Sequence, residues 1–193
     1  MNDTVYKSIG VSPISGALGA VITGVELKKP LQNAVFAEIY KAFLKYKVIF
    51  FRDQELTPET QLRFGRMFGQ PIHYPFVKGL KDFSEITPIL KKETDLNNFG
   101  GVWHSDTTYQ QRPPKATMLY AVEVPDFGGD TEFANQCMAL DHLSDGMQKF
   151  LREQKIINTS GKGKVVASRS DVIKHSSSGQ VVDELRAVHP VAV

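Results

Sequence analysis

The chain has 193 residues, 41% of them hydrophobic and 23% charged, which is enough ordinary globular material for one domain with its own core. A net charge of +2 gives no sign of a nucleic-acid partner, and no apolar run reaches membrane-spanning length. The single cysteine, Cys137, excludes an intrachain disulfide, and no basic-then-apolar leader follows Met1, so the expected location is the cytoplasm.

No internal repeat is visible. Val5 to Ser8 and Ala20 to Ile22 are expected as short strands, with turns at Gly16, Gly19 and Gly24. Val35, Ile39, Phe43 and Tyr46 recur at helical spacing and predict an amphipathic helix over 32–46. Val48 to Phe51 is a short apolar run, expected as a buried central strand. Thr57 followed by Pro58 marks a helix start, and Gly69 with Pro71 beyond marks its end.

Glu85 to Leu90 reads as an edge strand broken by Pro88, and Lys91 to Gly101 as a polar loop. Ala116 to Val124 alternates and predicts a strand, which turns at Asp126 to Asp130 and returns over Thr131 to Ala134. Helical signals run from Gln136 to about Gln154, with Ser144 able to cap a second helix. Residues 160–180 carry four Lys or Arg against Asp171, a net +3, and read as a lid loop suited to drawing in an anion. Val181 to Val193 ends in an apolar run, expected as a strand cut short.

The chemistry is concentrated in Trp103-His104-Ser105-Asp106-Thr107-Thr108-Tyr109. On an extended segment a His and an Asp two residues apart face the same way. Their nitrogen and oxygen can hold one metal ion together, and a further His would complete the two-His-one-carboxylate triad of non-haem Fe(II) oxygenases. The tripeptide alone is a weak signal. A His bonded to a nearby carboxylate in a loop is the competing reading, and no convincing third ligand follows.

The surroundings narrow the choice. The motif is followed by Arg112-Pro113-Pro114, then by Pro125-Asp126-Phe127-Gly128-Gly129-Asp130-Thr131. Upstream lie Gly19 to Leu27, Val48 to Gln54, and Phe64-Gly65-Arg66-Met67-Phe68-Gly69. This order resembles the TauD/TfdA family of Fe(II)- and 2-oxoglutarate-dependent dioxygenases, from about Gly16 to His189.

The resemblance implies an α+β fold: a double-stranded β-helix (jelly roll, cupin-like) with flanking helices, spanning 1–193 as one domain and lacking its C-terminal strands. It implies His104 and Asp106 as iron ligands and Thr131 as the residue that binds a carboxylate of 2-oxoglutarate. His73 matches a substrate-contacting His, and Thr107 a backbone contact to substrate. For each, the bland alternative is a polar loop residue satisfied locally. Trp103 and Tyr109 either wall the site or pack as ordinary aromatics.

The implied reaction hydroxylates a small organic acid, a sulfonate or a carboxylate, using O2 and converting 2-oxoglutarate to succinate and CO2. No nucleic-acid or membrane partner is expected, and the oligomeric state stays open between a monomer and a homo-oligomer.

Two departures matter for substrate. Where taurine enzymes have a Tyr three residues after the substrate His, this chain has Phe76. Where they have an Asn four residues before the first iron ligand, it has Gly100. Both remove a polar contact to a sulfonate and argue against taurine. The family's distal iron-binding His and its cosubstrate Arg lie on later strands, and the resemblance does not promote His142, His175, His189, Arg169 or Arg186 to those roles. With two of three ligands, these 193 residues alone are expected to be inactive. The alternatives are a non-catalytic remnant and a β-rich metal or small-molecule binding module.

Overall fold

The computed structural model describes residues 5–175 and 184–192. They form two units that are each discontinuous in sequence: Met1–Phe68 with Met118–Gln148, and Gly69–Thr117 with Lys149–Val193.

In the first unit β1 (Gly10–Pro13) and β2 (Ala20–Thr23) make an antiparallel pair, with Val11 opposite Ile22. The chain then climbs through α1 (Asn33–Tyr46) and enters β3 (Ile49–Phe51) parallel to β2, with Val21 opposite Phe50. A parallel pair needs such a crossover. Lys47 closes α1 at φ 67°, donating its N–H to the Phe43 carbonyl.

The helical spacing read from the sequence is realised: Ile39 and Ala42 are fully buried in the core with Ile22, Leu27 and Phe64. The run at 48–51 is corrected in one respect. In the sheet order β1-β2-β3 it lies at the edge, and its three strand residues are only half-buried.

Helix α2 (Pro58–Phe68) starts where Thr57 and Pro58 predict, and the Thr57 hydroxyl accepts the Thr60 N–H at 3.2 Å. Phe64 and Phe68 pack edge-to-face within its inner surface. The later helical stretch divides as Ser144 suggests, into α3 (Gln136–Asp141) and α4 (Asp145–Arg152), with the Ser144 hydroxyl accepting the Met147 N–H.

The strand expected over Val5 to Ser8 is displaced to β1. The residues before it are held instead by Glu38, whose carboxylate accepts the Lys7 and Ser8 N–H groups. Neither Ala116 to Val124 nor Thr131 to Ala134 forms a ladder, and Leu119, Val122 and Val124 are exposed. Alternation prepares a strand face, but a strand exists only with a partner to take its N–H and C=O groups.

The second unit keeps 69–117 free of helix and strand. Glu85 to Leu90 is therefore irregular too, as Pro88 removes a ladder donor. Its regular elements come late: β4 (Lys155–Thr159) pairs antiparallel with β5 (Arg186–Pro190), placing Ile157 opposite Val188.

Between them, the stretch expected as a lid loop is instead helical over α5 (Gly163–His175), although residues 176–180 of it, and 181–183 of the terminal strand expected next, lie outside the described residues. Among the described residues the sheets have three and two strands and do not close into a barrel. The secondary structure is mixed α and β, as expected. No described helix is long and apolar enough to cross a membrane.

Candidate metal site

His104 and Asp106 lie on the irregular segment of the second unit, and the structure brings them together. His104 Nε2 is 3.1 Å from Asp106 Oδ1, with the two side chains 41% and 51% exposed, so solvent reaches both. Each has a partner on its far side. His104 Nδ1 meets the Val102 carbonyl at 2.6 Å, and the Thr117 hydroxyl donates to Asp106 Oδ2 at 2.6 Å.

These partners decide the chemistry. A carbonyl only accepts, so Nδ1 must carry the proton, and in the neutral ring Nε2 is a bare lone pair. It faces a carboxylate oxygen, another acceptor. Two acceptors at 3.1 Å require a cation between them: a proton, or a metal ion that both ligate. Cis donors around an octahedral ion at ~2.1 Å are about 3 Å apart, so the 3.1 Å spacing is compatible with one such ion as well as with a plain His–Asp hydrogen bond. Outer partners that fix the ring tautomer and occupy the second carboxylate oxygen are what a ligating His and Asp need.

Backbone form supports the placement. Gly100 has φ +71°, a conformation that favours glycine, and a Cβ there would lie 3.2 Å from His104 Cε1, close enough that the imidazole would have to give by a few tenths of an ångström. Thr107 is a β-branched residue at φ 49°, an uncommon conformation directly after Asp106, and its buried hydroxyl has no hydrogen-bond partner among the described residues.

The other expected residues fall as follows. His73 is exposed in the same unit. Thr131 belongs to the first unit and is exposed, just after Gly128 and Gly129, which both take positive φ (80° and 72°) to make the turn. Trp103 stands 70% exposed, whereas Tyr109 is buried with Phe76 and Val77.

His189 Nε2 donates to the Gln110 carbonyl, His142 Nδ1 to the Met138 carbonyl, and Arg186 pairs with Glu184. The side chain of His175 lies outside the described residues. Among those described, no group of three His, Cys, Asp or Glu could hold a metal.

Sequence reasoning missed Thr117, eleven residues from the carboxylate it orients, and it left Arg169 without a role. Arg169 is buried, its guanidinium 4.1 Å from the centre of the Phe76 ring and 5.8 Å from that of Tyr109. Burial pushes the Tyr74 and Tyr109 phenols above their ordinary range. Arg169 pulls both partly back, and the Asp106 carboxylate adds to the rise.

His104 and Asp106 thus face one another, each fixed by its own outer partner, an arrangement with two donors of the kind that carboxylate-histidine metal sites use. The family model described as taurine catabolism dioxygenase TauD, TfdA family matches residues 10–191, and the chain belongs to that family.

The chain is 32% identical over 142 residues to an alpha-ketoglutarate-dependent sulfate ester dioxygenase of Pseudomonas putida, covering 73% of this chain and 46% of that protein. It is 31% identical to an alpha-ketoglutarate-dependent sulfonate dioxygenase of Saccharomyces cerevisiae, covering 94% and 46%. A crystal structure of a taurine dioxygenase from Burkholderia xenovorans superposes with a TM-score of 0.74 at 29% identity, covering 96% of this chain and 59% of that one. The chain spans about half the length of the curated relatives it matches.

Proposed function

We propose that the chain is part of an Fe(II)- and 2-oxoglutarate-dependent dioxygenase, on a double-stranded β-helix scaffold, that hydroxylates a small sulfonate or carboxylate. The observation that carries this reading is the facing of His104 Nε2 and Asp106 Oδ1 at 3.1 Å, each braced from behind. Membership of the family supports the chemistry, and relatives named for sulfate esters and sulfonates support an acidic substrate.

In this reading His104 and Asp106 hold the iron. The Thr131 hydroxyl donates to a carboxylate of 2-oxoglutarate, and His73 and Thr107 face the substrate. Bound iron supplies the centre at which O2 is activated. In balance, a substrate C–H, O2 and 2-oxoglutarate become C–OH, succinate and CO2. Phe76 sits in the apolar cluster and Gly100 carries no side chain, so neither offers a taurine sulfonate a polar contact.

The test uses protein expressed from its natural gene, its intact mass compared with 21.5 kDa. Fe(II) and 2-oxoglutarate added together without oxygen are expected to give a visible charge-transfer absorption that neither gives alone and that His104→Ala and Asp106→Ala each abolish. With oxygen and an accepted substrate, succinate forms. If 2-oxoglutarate binds equally well without metal and in both variants, the oxygenase reading gives way to a plain binding module.

A further inference from the structure

The segment that carries His104 and Asp106 has no helix or strand of its own, yet a chelate works only if its donors are held to within a fraction of an ångström. Three consecutive residues of α5 supply the hold.

Asp171 is buried, and its Oδ2 accepts the Asn97 backbone N–H at 2.9 Å and the Asn97 Nδ2 at 3.2 Å. Ser170 Oγ accepts the same Nδ2 at 3.2 Å. Arg169 covers the rings of Phe76 and Tyr109 and anchors itself by donating to the Ser160 carbonyl at 3.1 Å. Asn97 precedes the metal pair by seven residues and Tyr109 follows it by three, so α5 fastens both ends of the loop.

The energetic case is direct. A buried carboxylate is costly unless its oxygens are bonded, so Asp171 holds Asn97 in one place rather than in several. A buried guanidinium against two rings is similarly selective of one arrangement.

We infer that Arg169 and Asp171 are positioning residues that lock the metal-motif loop, through Asn97 and Tyr109, against helix α5. Its functional consequence rests on the reading of His104 and Asp106 as ligands. The clamp itself is measurable without metal, because Trp103, the only tryptophan, lies on the loop.

The experiment compares the full chain with Asp171→Ala, Asp171→Asn and Asn97→Ala. It measures Trp103 fluorescence anisotropy without metal, Mn(II) affinity by titration followed by electron paramagnetic resonance, and the melting transition. Asp171→Ala is expected to lower the anisotropy and weaken Mn(II) binding about tenfold or more, while Asp171→Asn, which keeps an acceptor for the Asn97 N–H, restores it to within about threefold. Asn97→Ala leaves α5 whole and is expected to behave as Asp171→Ala does, so it carries the test if Asp171→Ala does not fold.

Wild-type anisotropy in both alanine variants overturns the inference. So does unchanged Mn(II) affinity in both while His104→Ala abolishes binding. If His104→Ala leaves Mn(II) binding intact, the metal reading fails instead, and the Trp103 anisotropy alone decides whether the clamp stands.

Discussion

The Thr117 hydroxyl takes Asp106 Oδ2, so only Oδ1 is left to face His104. Thr117→Val keeps the shape and removes the donor. It is expected to weaken divalent-metal binding by about 10- to 100-fold while leaving the melting temperature of this exposed site unchanged. Metal titration beside calorimetry checks this, and a large stability loss with intact affinity would contradict it. At Gly100 both conformation and space are against a side chain. Gly100→Ala is expected to cost about 1–2 kcal/mol in urea unfolding and also to push the imidazole away from Asp106. The pairing of His104 with Asp106 was legible because a two-residue spacing brings side chains to one face. Thr117 was not, because no local rule singles out one threonine eleven residues away until the turn between them is known. Tyr109 offered itself equally as a wall or as core, and only Phe76 and Arg169 packing on it decides for core.

Helix α2 starts with a reciprocal exchange. The Thr57 hydroxyl accepts the Thr60 N–H, while the Thr60 hydroxyl accepts the Thr57 N–H at 2.8 Å. Thr57→Ala removes one half of it and is expected to cost about 1 kcal/mol, read as a lowered urea midpoint with unchanged slope. Such helices are legible because their signals are local: a cap, a proline, an apolar stripe. Helix α5 hides for a physical reason. Its described buried residues include Arg169 and Asp171, so the apolar period that would announce a helix is written in charged side chains, while Val166 is exposed. The strand β4 hides because Lys155 to Thr159 gains its identity from β5, about thirty residues later. The segments at 116–124, where the pattern alternates, and 131–134, expected to return after the turn, show the converse: a strand signal with no described partner to make it a strand.

Across the molecule, Tyr6, Tyr74 and Tyr109 all have phenols raised above the ordinary value, chiefly by burial. Below about pH 10 folded and unfolded chains both keep these protons, and stability is unaffected. Above it the unfolded chain releases them first and binds fewer protons than the folded one, so stability falls, and goes on falling as pH rises through the folded values. The urea midpoint is expected to decline from about pH 10 upward, with part of the tyrosinate absorbance appearing only on unfolding. All six tyrosines titrating together near pH 10 in the folded protein would contradict this. The two units are also interleaved along the chain, which crosses from one to the other after Phe68, Thr117 and Gln148. On the ribosome the first unit cannot finish until Gln148 has emerged. The loop bearing His104 emerges about 60 residues ahead of Arg169 and Asp171. At ~5–20 residues per second that is about 3–12 seconds in which the loop exists without the helix that fastens it. The nascent chain therefore passes through a stage in which the His104–Asp106 pair is made but its loop is not yet held, and the order of synthesis sets when that pair is first fixed.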